Sequence, residues 1–154
     1  MTIRVATQKD VPALCRLYNE FFAYNANQQP PYYKTAVEAG SYPQSVIESP
    51  KEALLCVVNS GDTPVGLAHV MEQQTPPYDC FVPHKYAFVM DLFVTAAFRG
   101  RGAGAALLGA AKQWAAARGL DYLELNVLAE NTAAFRFYQR EGFQTVSQTM
   151  RLTL

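Results

Sequence analysis

Neither sign of charge dominates this chain: 13 lysines and arginines stand against 13 aspartates and glutamates, and the formal net charge is zero. That balance argues against a nucleic-acid partner, whose binding face shows as a basic excess or stripe. Cysteine is scarce too. Cys15, Cys56 and Cys80 form no CxxC pair and their number is odd, while His69 and His84 lie far apart. No Cys/His metal cage is expected, and the cysteines read as reduced thiols. The opening MTIRVATQKD lacks the apolar stretch of a signal peptide. No apolar run approaches the ~20 residues of a membrane span, so the chain is expected in the cytoplasm with no membrane partner.

What is present is an ordinary globular composition, 50% hydrophobic and 17% charged. At 154 residues the chain fits one domain, 1–154, with a core of its own. Ile3–Ala6 reads as a strand. Thr7 and Asp10 then give a capping signal before a helix whose Val11, Leu14, Leu17, Tyr18 and Phe21 recur at helical spacing. Short helical pieces are expected around 34–40 and 43–49, in a stretch holding Tyr24, Tyr32, Tyr33 and Tyr42. Ala53–Asn59 and Pro64–Gln73 flank a Gly61–Asp62 turn and read as a hairpin. Strands are expected at Tyr86–Val94 and Asp121–Leu128, helices after the glycine-rich segment and over the NTAAFRFYQREGF run, and one or two final strands in QTVSQTMRLTL. The order is that of a mixed α/β domain.

The segment FRGRGAGAALL, Phe98–Leu108, sits between an apolar strand and an amphipathic helix. A P-loop would need a lysine and a hydroxyl after Gly104, where the chain has Ala105 and Ala106. Gly100, Gly102 and Ala105 do satisfy the dinucleotide spacing, and Glu124 follows at the distance of a ribose-binding acid. Context opposes that fit. Thr95–Phe98 separate the strand from the glycines, and too little chain follows for two βαβαβ halves.

Arg99-Gly100-Arg101-Gly102-Ala103-Gly104 fits [Q/R]-x-x-G-x-[G/A], and closely resembles the acetyl-CoA-binding motif of the GCN5-related N-acetyltransferase (GNAT) superfamily. A pyrophosphate suits such a helix start, where free N–H groups and the positive end of the dipole converge. A second stretch agrees. Val127, Asn131, Ala134, Tyr138, Gly142 and Phe143 match the superfamily's V-x-x-x-N-x-x-A-x-x-x-Y-x-x-x-G-F, with Asn131 and Tyr138 two helical turns apart on one face. The resemblance is strong over about 86–154 and rests only on element order over 1–73.

The resemblance implies an α/β (mixed α+β) domain built on a central, mostly antiparallel sheet of six to seven strands. That sheet would be splayed between strands 4 and 5 and flanked by about four helices. It implies acetyl-CoA as co-substrate and a primary amine as acceptor, with a non-catalytic acyl-CoA sensor of the same fold as the alternative. Leu92, Phe93 and Val94 would offer main-chain groups to the pantetheine arm, with Asn131 and Ala134 across from them. Arg99, Gly100, Arg101, Gly102, Ala103 and Gly104 would hold the pyrophosphate. Tyr138 takes the place of the superfamily's general acid. Asp91, the lone charge in YAFVMDLFV, is the candidate base or amine-binding acid, in a region where the superfamily often has a bulge. Glu124, His84 or a water chain remain open for that role. A homodimer paired through C-terminal strands is left open as well.

Overall fold

Asp10 fixes the first turn of the chain. Strand β1 (Thr2–Val5) leads into a 3-10 turn at Gln8–Asp10 and then into helix α1 (Val11–Gln28). The Asp10 Oδ2 accepts from the Thr7 N–H at 2.8 Å and from the Thr7 hydroxyl at 3.1 Å. Arg4 grips both oxygens, at 2.7 and 2.9 Å, and the Asp10 side chain is only 3% exposed. The Arg4 hydrogen bonds hold this carboxyl at about 2, against the opposing pull of burial. Its stabilisation is therefore complete above the ordinary carboxylate value near 4 and is lost as pH falls through about 2. We expect about 2 kcal/mol of stability to disappear over that window from this group. Urea denaturation of the wild type and Arg4→Ala at pH 5 and pH 2 checks it: the gap between the two narrows at the lower pH.

The computed structural model describes all 154 residues. After α2 (Ser41–Glu48) come β2 (Glu52–Val58), β3 (Pro64–Gln74), β4 (Lys85–Val94), α3 (Ala103–Ala117), β5 (Leu123–Leu125) and α4 (Thr132–Arg140). The sheet has five strands in the order β1-β2-β3-β4-β5. All neighbours are antiparallel except β4 and β5, which are parallel. Strand alternation divides the core in two. Leu55, Val57, Ala68, Val70 and Val89 meet Leu107 and Ala111 of α3 on one face. Leu54, Cys56, Leu67 and Phe93 meet Leu14, Leu17, Tyr18 and Val46 of α1 and α2 on the other. The cysteines are free, and burial pushes the Cys56 thiol up to about 12. No helix is long and apolar enough to cross a membrane.

The mixed sheet, the four helices and the parting of strands 4 and 5 match the expectation. The strand count does not, because 144–154 adds none. Nor does the expected helix at 34–40 form. Glu38 turns its carboxylate to the N–H groups of Gly40 and Tyr42, at 3.0 and 3.2 Å, and so serves the start of α2 instead. The fifth strand shrinks to Leu123–Leu125 because its neighbour leaves it at that point.

Candidate active site

The pairing of β4 with β5 ends at Val89 and Leu125, yet β4 runs on to Val94. From Met90 onward its outer edge has no partner strand. Unpaired main-chain groups of this kind need partners. A β-bulge marks the onset. His69 pairs with Asp91 and the next residue, Val70, with Val89, so Met90 is the extra residue of β4. Beyond it the strand faces a cleft of ≈ 600 Å³.

Leu92, Phe93 and Val94 all line this cleft, with different parts. An added Cβ at Gly66 of β3 would sit 3.0 Å from the Phe93 carbonyl oxygen, so that carbonyl points toward β3. Main-chain groups alternate along a strand, which leaves those of Leu92 and Val94 facing the cleft. The Val94 carbonyl already accepts from Arg99 Nε at 2.8 Å. Arg99 lies 5.1 Å from the Tyr24 ring centre and 5.2 Å from that of Phe93, a pre-set cation between two aromatic faces.

The glycine segment forms the mouth. Gly100 (φ 71°) and Gly102 (φ 79°) adopt the left-handed conformation that disfavours other residues. A Cβ at either would meet nothing within 4 Å, so the space above them is open. Gly102 caps α3 without a side chain, and the first turn carries no acid. The helix's first closing bond is Ala106 N–H to Gly102 O at 3.0 Å, leaving the N–H groups of Ala103, Gly104 and Ala105 without helical partners. Gly104 differs from the other two. A Cβ there would lie 3.2 Å from the Phe137 ring, so this glycine lets α3 and α4 approach. Arg101 lies outside the cleft lining, 5.4 Å from the Phe98 ring centre.

Helix α4 makes the opposite wall with Asn131, Ala134 and Tyr138. Asn131 is its N-cap: Oδ1 accepts from the Ala134 N–H at 3.2 Å and the Tyr24 hydroxyl at 3.3 Å. That leaves the amide NH₂ to donate. Tyr138 packs against Phe137 and Phe143, at 5.2 and 5.7 Å between centroids. Burial pushes its phenol up to about 12, so it holds its proton across the neutral range.

Asp91 lies outside the cleft lining, on the α1 and α2 side of the sheet, in a polar cluster that the sequence pattern did not assemble. Its Oδ2 accepts from the Tyr18 hydroxyl at 3.0 Å and the Tyr42 hydroxyl at 3.4 Å, with His69 Nδ1 at 3.5 Å. Tyr42 Oη is 2.8 Å from His69 Nδ1, and His69 Nε2 is 2.7 Å from Glu52 Oε2. Burial opposes a charge on His69, but the bonds to Asp91 and Glu52 outweigh it and raise its pKa. Burial and the Asp91 charge keep both tyrosines protonated. Asp91 Oδ1 has no protein partner, and no buried polar atom goes unpaired, so Oδ1 reaches solvent. The overlooked signal was His69 itself, the one ionisable side chain in PVGLAHVM; a buried polar group of that kind requires partners. His84 and Glu124 lie elsewhere. His84 pairs with Asp121 at 2.7 Å on the exposed surface, and Glu124 faces the stacked Tyr86 and Tyr122 rings.

Residues 11–143 match the model of the Acetyltransferase (GNAT) family. The chain is 33% identical over 149 residues to an uncharacterized N-acetyltransferase of Methanocaldococcus jannaschii, covering 93% of this chain and 60% of that protein. The present chain thus spans less than two thirds of that relative. An uncharacterized N-acetyltransferase of Bacillus subtilis, YhfO, is 26% identical over 147 residues, covering 94% of this chain and 90% of its own. The crystal structure of a tetramutant of the BH1408 protein from Bacillus halodurans superposes with a TM-score of 0.93 at 26% identity, over 100% of both chains. With the glycine-capped helix and the parted strands in their places, the chain belongs to the GNAT acetyltransferase family.

Proposed function

We propose that this protein transfers an acetyl group from acetyl-CoA to a primary amine by direct attack. The observation that carries this reading is the parted β4–β5 edge, with an uncapped helix start at its mouth and Tyr138 inside. The residues fit the co-substrate. Free N–H groups of Ala103, Gly104 and Ala105, with open space above Gly100 and Gly102, seat a pyrophosphate. The β4 edge at Leu92 and Val94 and the Asn131 amide receive a chain of amides.

Acetyl-CoA supplies the acetyl thioester. Asp91 Oδ1 takes a proton from the incoming ammonium, most of which is charged at neutral pH. A nitrogen–carbon bond forms, the carbon–sulfur bond breaks, and Tyr138 gives its proton to the departing sulfur. The second proton shed by the attacking nitrogen returns through water to the Tyr138 phenolate. The proton on Asp91 then leaves to solvent. Tyr18, Tyr42 and His69, crowded on Oδ2, fix the carboxylate and leave Oδ1 free to accept.

Thermal melting with acetyl-CoA against NAD tests the reading. A ligand at 100 times its Kd stabilises by about 2.7 kcal/mol, and a rise in Tm with acetyl-CoA alone is expected. Gly102→Val should abolish that rise, because its φ of 79° and the open seat both require a missing side chain. CoA release with a panel of amines then separates an enzyme from a sensor. No shift with any acyl-CoA would overturn the proposal.

A further inference from the structure

His69 is 2% exposed and stands between two carboxylates, and no lysine or arginine pairs with either of them. The register of the sheet puts all three on one face. His69 of β3 lies opposite Asp91 of β4 and Leu54 of β2, and Glu52, two residues before Leu54, falls on the same side. Glu52 Oε2 is 2.7 Å from His69 Nε2. A contact that short with a carboxylate places a hydrogen on Nε2. On the other side of the ring, Nδ1 faces Tyr42 Oη at 2.8 Å and Asp91 Oδ2 at 3.5 Å.

The cluster's charge therefore turns on one imidazole. Tyr18 of α1 and Tyr42 of α2, the other titratable groups against it, hold their protons. Two carboxylates side by side and mostly out of water are costly without a cation between them, and only His69 can be that cation. The two carboxylates differ in their access to water. Asp91 is 14% exposed and Glu52 24%, and beyond His69 the other Glu52 oxygen meets only the Ser49 hydroxyl, at 3.4 Å. Glu52 is the cluster's outlet at the start of β2.

On the acetyl-transfer reading given above, we propose that His69 is a positioning residue for the base. As an imidazolium it holds Asp91 ionised, and when Asp91 takes a proton from the amine, His69 sheds one through Glu52 to water. An amine N–H bond breaks as the Asp91 Oδ1–H bond forms. The His69 Nε2–H bond then breaks, and its proton passes over Glu52 Oε2 to solvent. Nδ1 keeps its hydrogen toward Tyr42 and Asp91. The three groups carry one net negative charge before the exchange and one after it. Losing the neighbouring cation strengthens Asp91 as a base while it holds the proton. A proton also reaches solvent while the acceptor still covers Oδ1. When the product departs, Asp91 releases its proton and His69 recovers one by way of Glu52.

Nitrogen NMR of protein carrying isotope-labelled histidine tests the coupling without any acceptor. The chain has two histidines, so His69 is read against the exposed His84. Its titration midpoint should lie above that of free histidine in the wild type. In Asp91→Asn, whose neutral amide stands for the protonated acid, the midpoint should fall by about 1 pH unit or more. The second measurement is a single turnover of the acetyl-CoA-loaded enzyme with an accepted amine, followed by an indicator dye and by acid quench. Proton and acetylated amine should appear together in the wild type. In His69→Gln, which can hydrogen-bond but holds no charge, the proton should trail. Should that variant misfold, the wild type and Asp91→Asn still decide. A wild-type midpoint below that of free histidine, one that Asp91→Asn leaves unmoved, or a wild-type proton that trails the product overturns the coupling alone. Absence of transfer to every amine overturns the acetyl-transfer reading, and the role of His69 in catalysis with it, whatever the NMR midpoints.

Discussion

Tyr138→Phe should lower kcat about 10²- to 10⁴-fold with every acceptor while leaving acetyl-CoA affinity unchanged. That range is the usual worth of one positioned proton donor. The substitution removes only an oxygen. The ring contacts to Phe137 and Phe143, 5.2 and 5.7 Å between centroids, survive, so the cleft keeps its shape. The phenol's proton is the lost item. A thiol near pKa 8.5 leaves poorly as an anion at pH 7, and a donor must meet it. Because burial pushes Tyr138 up to about 12, it stays protonated through the working range. No alkaline loss of activity below about pH 11 should trace to it. Two measurements secure the assignment. Isothermal titration should give the same Kd for both proteins, and an acetyl donor with a more acidic thiol should restore most of the variant's rate. An unchanged kcat, or a loss indifferent to the leaving group, removes the acid role.

Asp91→Asn should lower kcat/KM at pH 7 by about 10² or more and change the form of the pH profile. The amide keeps the shape and can still accept from Tyr18 and Tyr42, but it cannot take a proton. Attack then depends on amine that is already neutral, about one part in 10³ at pH 7 for a group near pKa 10.4. The variant's rate should therefore climb tenfold per pH unit toward the amine's pKa and approach the wild type there. A carboxylate that only holds the fold together would behave otherwise, with a lower Tm and an unaltered pH slope. The chemistry assigned to Asp91 fails on that result.

How much of this was legible in the sequence depends on how far the information is spread along the chain. The glycine segment and the Asn131–Tyr138 face were readable because each is written in one short stretch whose local geometry is nearly fixed. A left-handed turn, a helix start and two turns of helix need no distant partner to take shape. The Asp91 cluster is the opposite case. Tyr18 and Asp91 are 73 positions apart and Tyr42 and His69 are 27 apart, joined only by the register of β3 on β4 and by two helices packing above. Each looked bland alone: a tyrosine in an apolar stripe, a histidine in a strand. The tail was read less well: final strands were expected in QTVSQTMRLTL, and the last regular element ends at Arg140.

Gly104 gives the two halves of the cleft a common dimension. Its missing side chain lets the start of α3 rest against the ring of Phe137, where a single methyl would stand 3.2 Å away. Phe137 is followed directly by Tyr138. On the proposed mechanism the seat for the anion and the Tyr138 hydroxyl are thus held at a fixed span, like the two points of a caliper whose joint is this one contact. Widening that joint would, on the same mechanism, move the Tyr138 hydroxyl relative to the anion seat.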